Sequence, residues 1–303
     1  MYSRIVVPLD GSELAEQVLP HAYVLAKALK SRVVLLRTYE VGYPPEGSKV
    51  SPSFAGDMEG ALVNEATKYL ERHAAALNAD GVNVAVSVLE GAPADRIVGV
   101  ANAEPDTLVA MATHGRSGMS RLVMGSVADK VLHATIRPLL AIHPHGKGEP
   151  AVPSAFSRIL VPLDGSPLAE QALTQAVALA KALSIPLVLA RVTPSEADYQ
   201  RFAGYAGEFG SVVKQVDSDA AKYIDSLESR VRGQGLRTVQ KLLLHGEPSS
   251  AIIDQSQAAP GTLVIMTTHG RTGLGRFVLG SVADRVVSYA GSAVLIIRPE
   301  GGK

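Results

Sequence analysis

The strongest constraint on this chain is an internal repeat of about half its length. Residues Ser3–Ser12 read SRIVVPLDGS and Ser157–Ser166 read SRILVPLDGS, so nine of the ten aligned positions are identical. The similarity returns over Met111–Pro144 and Met266–Pro299, at offsets of 154 residues (3 to 157) and 155 residues (111 to 266). Solenoid repeats recur roughly every 20–50 residues, so this longer period indicates two duplicated domains.

The 303 residues are enough for two domains of ordinary size. The stretch 144–153 between the copies is rich in proline and glycine, which is typical of a linker. We therefore predict a first domain at 1–146, a linker at 147–156 and a second domain at 157–303.

Composition narrows the class of protein. The chain is 47% hydrophobic and 19% charged, so it can bury two cores. Its 29 basic and 29 acidic residues cancel, which argues against a general nucleic-acid binder. The absence of cysteine excludes disulfides and thiolate metal sites. With no signal peptide at Met1–Arg4 and no apolar run near the roughly 20 residues that span a bilayer, we expect a cytoplasmic protein without a membrane partner.

Each copy predicts strands that alternate with helices. Arg4–Leu9 is an apolar, β-branched run typical of a strand buried on both faces, and Ser12 can cap a helix that runs to about Lys30. Such alternation predicts an α/β fold with a parallel sheet, whose ligands bind beyond the carboxyl ends of the strands. The loops after Leu9 and Met111 are therefore the places for a site. The other predicted strands are 32–38, 82–89, 107–111 and 139–142, and the other predicted helices are 57–78, 93–103 and 127–134.

A glycine-rich loop follows the fourth predicted strand. It carries Gly115 and Gly118 and ends at Gly125-Ser126, directly before a helix, and the second copy repeats this pattern up to Gly280-Ser281. The free amides and the dipole of a helix start favour an anion, and glycine lets the backbone approach phosphate oxygens closely. The loop therefore predicts a phosphate cradle.

A plain helix cap is the alternative for the same residues. Ser126-x-x-Asp129 and Ser281-x-x-Asp284 match a capping-box pattern, which stabilises a helix by about 1 kcal/mol. Capping alone does not require three glycines in one loop. Both interpretations can hold together, since a serine can cap a helix and also face a ligand.

A carboxylate ends the first strand of each copy, in Pro8-Leu9-Asp10 and in Pro162-Leu163-Asp164. Asp10 and Asp164 can accept a hydrogen bond from a ribose hydroxyl or an adenine amine. They can equally form an Asx turn that joins strand to helix. The residues alone leave the two interpretations even.

Histidines and arginines in the loop have less specific signals. His114 and His269 lack a second ligand at metal spacing, so we expect them to line the loop or to lie in solvent. The segment His143–His145 is interpreted as an incidental part of the linker. Arg116, Arg121, Arg271 and Arg276 either screen phosphate charge or are solvated surface residues.

At these residues the sequence resembles the universal stress protein family in its tandem two-domain form, over nearly the whole chain. The family motif is Gly-x2-Gly-x9-Gly-Ser/Thr, and its later elements match Gly115 with Gly125-Ser126 and Gly270 with Gly280-Ser281. The first glycine of the motif is replaced by Ala112 in one copy and by Thr267 in the other.

The resemblance implies two tandem copies of a five-stranded parallel-sheet, Rossmann-like domain of the adenine nucleotide alpha hydrolase type, with ATP held at the loop. Mg²⁺ could accompany the nucleotide, and the sequence leaves open whether it is needed. It implies nucleotide contacts at the following positions: Pro8, Leu9, Asp10, Thr38, Met111, Ala112, Gly115, Arg116, Gly125, Ser126 and Val127 in the first copy, and Pro162, Leu163, Asp164, Val192, Met266, Thr267, Gly270, Arg271, Gly280, Ser281 and Val282 in the second.

The two departures from the motif predict that the two sites differ in how well they bind nucleotide. A Cβ at Ala112 crowds the phosphates slightly, whereas Thr267 is bulkier, β-branched and poorly suited to a positive φ. We therefore expect the first copy to bind nucleotide more readily than the second. The second copy would bind more weakly, bind AMP or ADP instead, or serve a structural role.

The resemblance also implies assembly and function. Family members pair through the last strand, so 139–142 and 294–297 would pair within one chain, and two chains could then form a homodimer. The leading functional hypothesis is an ATP-binding regulator of the stress response, followed by a slow ATPase and by an interaction module with vestigial pockets. The loop places no obvious carboxylate or glutamine to activate water, so we do not expect strong catalysis.

Overall fold

The computed structural model describes residues 1–41, 52–114, 124–145, 155–203, 210–268 and 279–299, with only the backbone described for 52–55 and 202–203. The chain forms two compact units, Met1–Gly148 and Glu149–Lys303. In the described ranges, none of the helices has both the length and the apolar composition needed to cross a membrane.

Strands and helices alternate through the first unit, as the periodicity of the sequence predicts. In chain order they are β1 (Arg4–Pro8), α1 (Glu13–Glu16), α2 (Leu19–Leu29), β2 (Arg32–Tyr39), α3 (Pro52–Ala79), β3 (Val84–Glu90), α4 (Pro93–Asn102), β4 (Thr107–Ala112), α5 (Ser126–Ala134) and β5 (Leu139–Ile142).

The second unit repeats this order, and its described residues include one more helix than those of the first. Its elements are β6 (Arg158–Pro162), α6 (Pro167–Glu170), α7 (Ala172–Leu183), β7 (Leu187–Thr193), α8 (Glu196–Ala203), α9 (Gly210–Gly233), β8 (Val239–His245), α10 (Pro248–Gln257), β9 (Thr262–Thr267), α11 (Ser281–Tyr289) and β10 (Ala293–Ile297).

In the first unit the five strands lie in the order β3-β2-β1-β4-β5, and every neighbouring pair is parallel. Val6 at the centre of β1 pairs with Val34 on one side and with Val109 on the other. The chain thus builds outward from β1 in one direction and then crosses to β4, so the strand order reverses between β1 and β4. The loops after these two strands meet at the carboxyl edge, where α/β sheets bind ligands.

The second unit has the same topology, with its strands in the order β8-β7-β6-β9-β10, all parallel. Leu160 of β6 pairs with Val188 of β7 and with Val264 of β9, the positions equivalent to those in the first unit. The predicted pair of five-stranded parallel α/β domains is therefore confirmed.

The core of each domain is centred on its first strand. Ile5, Val6 and Val7 are completely buried. Successive side chains of a strand point to opposite faces, so full burial of all three means that both faces of the sheet are covered. This explains why β1 is an unbroken apolar run, as expected for a central parallel strand.

The predicted single helix from Ser12 to about Lys30 is wrong, because α1 and α2 are separate helices. Ser12 does cap α1, since its hydroxyl accepts a hydrogen bond from Ala15 N at 3.2 Å. At the break, Gln17 N donates to Leu14 O and Val18 N donates to Ala15 O. These bonds span three residues instead of four, so a tighter 3₁₀ turn interrupts the α-helix.

Helix α8 has no predicted counterpart, although a local signal for it is present. Ser195 Oγ accepts from Asp198 N at 3.3 Å, and Asp198 Oδ2 accepts from Ser195 N at 2.8 Å. This reciprocal pair is a capping box, and it marks the start of a helix that lacks a long apolar stripe. The bonds from Ser195 lower the pKa of Asp198.

Candidate functional site

A cavity of about 490 Å³ lies in the first domain where the strand order reverses. It is bounded by the carboxyl ends of β1, β2 and β4 and by the start of α5. The structure brings together at this cavity all the described residues that the sequence assigned to the first site: Pro8, Leu9, Asp10, Thr38, Met111, Ala112, Gly125, Ser126 and Val127. The predicted contacts Gly115 and Arg116, like Gly118 and Arg121, lie outside the described residues.

The start of α5 forms one wall of this cavity. Its N-cap is Gly125, in an extended conformation with φ −62° and ψ 143°, and this residue has no side chain to cap the helix. The alternative in which Ser126 caps α5 is therefore wrong, because Ser126 is already the first helical residue. The first amides of a helix have no intrahelical acceptor. They remain suited to an anion, and the exposed Ser126 hydroxyl is next to them.

The second domain repeats this helix start. Gly280 is the N-cap of α11, with φ −66° and ψ 147° and no side-chain cap, so capping by Ser281 is also wrong. Gly125 N donates to Thr113 O at 2.8 Å, and Gly280 N donates to Thr268 O at 2.8 Å. In both domains this bond ties the end of the glycine loop to the strand before it.

Asp10 forms the Asx turn, one of the two interpretations that the sequence left open. Its Oδ1 accepts from Ser12 N at 2.9 Å and from Ser12 Oγ at 2.6 Å, which is an Asx turn. The same side chain lines the cavity. Asp164 makes the equivalent bonds to Ser166 at 2.9 and 2.6 Å. The turn therefore fixes the orientation of a carboxylate at the end of β1.

The expectation that a positive φ matters at the first motif position is wrong. Ala112 and Thr267 are the last residues of β4 and β9, paired with Ile142 and Ile297 in the parallel ladder. The non-glycine residues with positive φ among the described residues are Lys30, Asp106 and Ser184. Thr267 therefore carries no backbone strain, and its difference from Ala112 is one of side-chain size.

Helices α3 and α4 supply a wall that the sequence analysis missed. Their contribution consists of Leu62, Glu65, Ala66, Pro93 and Ile97, opposite Arg37 at the end of β2. The spacing of four residues between Leu62 and Ala66 indicates one helix face. Only the packing of α3 against β2 and β3 shows that this face meets the cavity.

Three polar side chains meet at the end of β4. Thr113 Oγ1 lies 3.0 Å from His114 Nδ1 and 3.3 Å from His143 Nδ1. His114 lines the cavity. The interpretation of His143–His145 as an incidental linker is corrected, because His143 faces Thr113 and the main chain of His145 bonds to Gln17 at 2.8 and 2.9 Å. Within the described residues, no group of three or more potential metal ligands is present.

A second polar cluster joins α3 to α1. The Tyr69 hydroxyl donates to Glu16 Oε1 at 2.9 Å, His73 Nε2 lies 3.2 Å from the same oxygen, and the Arg37 guanidinium lies 4.9 Å from the Tyr69 ring centroid. Burial and then the bond to Glu16 raise the pKa of Tyr69. This cluster fixes α3 beside the cavity.

The described second-site residues lie at the matching places of the second domain. Pro162 ends β6, and Leu163 and Asp164 follow it; Val192 lies near the end of β7; Met266 and Thr267 end β9; Gly280, Ser281 and Val282 begin α11. Gly270 and Arg271, like His269 and Arg276, lie outside the described residues. The second-site residues thus surround the same strand ends as in the first domain.

Comparison with known proteins gives one consistent result. The model of the universal stress protein family matches residues 1–143 and again 155–298. Universal stress protein MJ0531 of Methanocaldococcus jannaschii is 33% identical over 146 residues, covering 47% of this chain and 82% of that protein. Universal stress protein MJ0577 of the same organism is 25% identical over 155 residues, covering 47% and 95%.

A solved structure matches both domains together. The crystal structure of a universal stress protein from Archaeoglobus fulgidus aligns with a TM-score of 0.71 at 19% identity, covering 98% of this chain and 99% of that one. At this identity the match shows the fold alone. Because the match covers both domains, it shows the fold of two domains in tandem along the chain.

Proposed function

The chain belongs to the universal stress protein family, and we propose that its first domain binds an adenine nucleotide, foremost ATP. The observation that carries the proposal is the single cavity that the Asp10 carboxylate, the end of β2 and the start of α5 share. Its volume of about 490 Å³ falls within the roughly 300–1,000 Å³ of small-molecule sites.

The start of α5 is the proposed place of the phosphates. The N-terminus of α5, with glycine as its N-cap, offers main-chain amides and the positive end of the helix dipole. The Ser126 hydroxyl adds a further donor at the same place. Mg²⁺ would reach this site through the phosphate oxygens, as it commonly does with nucleotides.

The opposite part of the cavity suits the nucleoside. Leu62, Ala66 and Ile97 provide apolar contacts for a purine, and the Asp10 carboxylate can accept from a ribose hydroxyl. Thr38 lies at the end of β2, where its main chain and hydroxyl are available to the base. A cavity with apolar walls and a few fixed polar groups is the usual composition of a specific ligand site.

We propose a regulatory role for this occupancy in the stress response. A bound nucleotide changes the balance between two conformations only if it binds one of them more tightly. The protein would then report the nucleotide supply to a partner. Slow hydrolysis stays the alternative, because the sequence of the glycine-rich loop carries no carboxylate or glutamine that could activate water.

We propose that the second domain binds nucleotide more weakly than the first. Thr267 places a larger buried side chain where the first domain has Ala112, and Val192 lacks the hydroxyl of Thr38. Weak binding of AMP or ADP there is compatible with the same geometry. One tight site per chain is the expected stoichiometry.

Calorimetric titration of the intact chain with ATP, ADP, AMP and adenosine tests the proposal. We expect one tight site for ATP that Gly125→Val removes, because the added side chain lies at the N-cap of α5. The matched variant Gly280→Val changes the second domain alone and should leave the tight site intact. Absence of both heat and thermal stabilisation at millimolar ATP would overturn the proposal. A phosphate-release assay on the same samples measures hydrolysis separately.

A further inference from the structure

The two domains place one equivalent arginine differently. The sheet register pairs Pro8 with Leu36 in the first domain and Pro162 with Ala190 in the second. Arg37 and Arg191 are the next residues along β2 and β7, so they occupy the same position beside the end of the first strand.

In the first domain the arginine side chain turns toward helix α3. Arg37 Nη2 donates to Glu65 Oε1 at 3.4 Å, and its guanidinium lies over the Tyr69 ring. The Arg37 side chain is 13% exposed, so it is largely enclosed by these neighbours. Arg37, Glu65 and Leu9 all line the cavity.

In the second domain the arginine lies over the strand end instead. Arg191 Nη1 donates to the main-chain oxygen of Leu163 at 3.1 Å, and its guanidinium lies 5.9 Å from the Tyr223 ring centroid. Leu163 is equivalent to Leu9, which follows β1 and lines the first cavity. Arg191 therefore covers the main-chain group that corresponds to the proposed nucleoside end of the first site.

One helix position beside these arginines differs between the two domains. Tyr69 and Tyr223 are equivalent because each donates to the glutamate of the preceding short helix, and Glu65 and Asp219 lie four residues before them. The aspartate is one methylene shorter than the glutamate. Among the described residues, Asp219 bonds to Gln215 at 3.1 Å and pairs with Lys222 at 3.7 Å, both on its own helix.

We propose that Glu65 is a positioning residue that keeps the nucleoside end of the first cavity open. It holds Arg37 against α3, away from the Leu9 carbonyl, and Asp219 does not hold Arg191 in this way. The inference rests on the proposed nucleotide function and adds to it the residue that decides which domain admits the nucleoside.

Titration of Glu65→Asp and Glu65→Gln with ATP and with adenosine tests this role. Releasing Arg37 toward the Leu9 carbonyl should weaken both ligands by about threefold to tenfold. The rival explanation is that the Glu65 carboxylate merely repels the phosphates. In that case Glu65→Gln would strengthen ATP binding and leave adenosine binding unchanged. That result would overturn the inference.

A double-mutant cycle with Arg37→Met separates positioning from direct contact. If Glu65 acts through the arginine, Glu65→Asp should change the dissociation constant by less than about twofold once Arg37 is methionine. An undiminished effect of Glu65→Asp in the Arg37→Met background would also overturn the inference.

Asp219→Asn is the matched control, since it alters the equivalent helix position of the second domain and should leave the tight site unchanged. Thermal unfolding of every variant shows that the domains remain folded, as expected for the exposed Glu65. If wild type binds ATP and both Glu65 variants bind it equally well, this inference alone fails. If wild type binds none of the ligands, the proposed function fails first.

Discussion

The imidazole rings of His114 and His143 meet edge to face, with centroids 5.1 Å apart and planes inclined by 80°. Their Nδ1 atoms share the hydroxyl of Thr113. A hydroxyl has one proton to donate, so when one imidazole accepts it, the other must donate its own N–H to the oxygen. His114 Nε2 is buried and has no hydrogen-bond partner among the described residues. The tautomer of His143 thus influences the tautomer of His114, whose side chain lines the cavity.

Replacing His143 with phenylalanine should weaken ATP binding by about threefold to tenfold and leave adenosine binding nearly unchanged. The change removes one of the two partners of the Thr113 hydroxyl and frees the tautomer of His114. Titration calorimetry with both ligands measures it. His145→Phe serves as the control, because the bonds between His145 and Gln17 use the main chain of His145. Equal losses for ATP and adenosine would instead indicate a general disturbance of the domain.

Substitution of Ser12 and of Ser126, which lie at two helix starts of the first domain, should distinguish a residue that stabilises the fold from one that binds ATP. Ser12→Ala removes a true cap and the hydroxyl bond to Asp10, while the bond from the main-chain amide stays, so it should lower the free energy of unfolding by about 1 kcal/mol. Ser126→Ala should change stability by less than about 0.5 kcal/mol, since Gly125 is the cap, yet it should weaken ATP binding. Urea unfolding and nucleotide titration check the pair. A marked loss of stability in Ser126→Ala would contradict the assignment.

Glu247 should make the second domain acid-sensitive. Burial raises the pKa of this N-cap carboxyl, but the hydrogen bonds from Ser249 and Ser250 outweigh that effect and lower it from 4.5 to about 2. Because the pKa is lowered on folding, the stabilisation is complete above about pH 4.5 and is lost as the pH falls toward 2. Glu247→Ala should therefore cost about 1 kcal/mol at pH 7 and almost nothing near pH 2.

Denaturant unfolding of wild type and Glu247→Ala at about pH 7, 4 and 2 measures how the stability contributed by Glu247 to the second domain depends on pH. These values lie roughly above, within and at the lower end of the range over which the carboxylate titrates. The first domain has Ala92 at the equivalent N-cap, with no side-chain bond, so its unfolding transition provides an internal reference. A cost of Glu247→Ala that stays constant over this pH range would show that the carboxylate charge is not what stabilises α10.

Tyr69 and Tyr223 should make both domains sensitive to high pH. Burial comes first in raising the pKa of each phenol, and interactions with Glu16 and Glu170 add to it. A pKa raised on folding gives stability that is present below the ordinary value near 10 and lost as the pH rises above it.

Tyr69→Phe should cost about 0.5–1.5 kcal/mol at pH 7, because the bond to Glu16 is lost. The difference in unfolding free energy between Tyr69→Phe and wild type should shrink or reverse above about pH 10. At that pH the unfolded wild-type chain loses the Tyr69 proton while the folded protein keeps it, and this favours unfolding of wild type. Urea unfolding at pH 7 and pH 10.5, roughly on the two sides of the ordinary phenol pKa, measures the change. Tyr223→Phe repeats the test through the equivalent bond to Glu170.

Local sequence was sufficient wherever one element decides the outcome. The apolar run of β1 predicted a central strand, and Ser12 predicted a helix cap. Pro8-Leu9-Asp10 and Gly125-Ser126 predicted the strand end and the helix start that border the cavity. Local sequence was insufficient at the break between α1 and α2, where the hydrogen bonds span three residues instead of four. The same residue types favour a continuous α-helix and a helix interrupted by a 3₁₀ turn. Local sequence also assigned the cap to Ser126 one residue too late, since the extended backbone of Gly125 is not visible in the residue types.

The sequence by itself determined the duplication, the parallel α/β class and the first-site residues that border the cavity, because these depend on periodicity and on short motifs. Only the tertiary structure decided which helix faces the strand ends, that His143 reaches Thr113, and that Arg37 and Arg191 turn in different directions. The physical reason is that these contacts join side chains far apart in the chain, and their geometry follows from how α3 and α9 pack against their sheets.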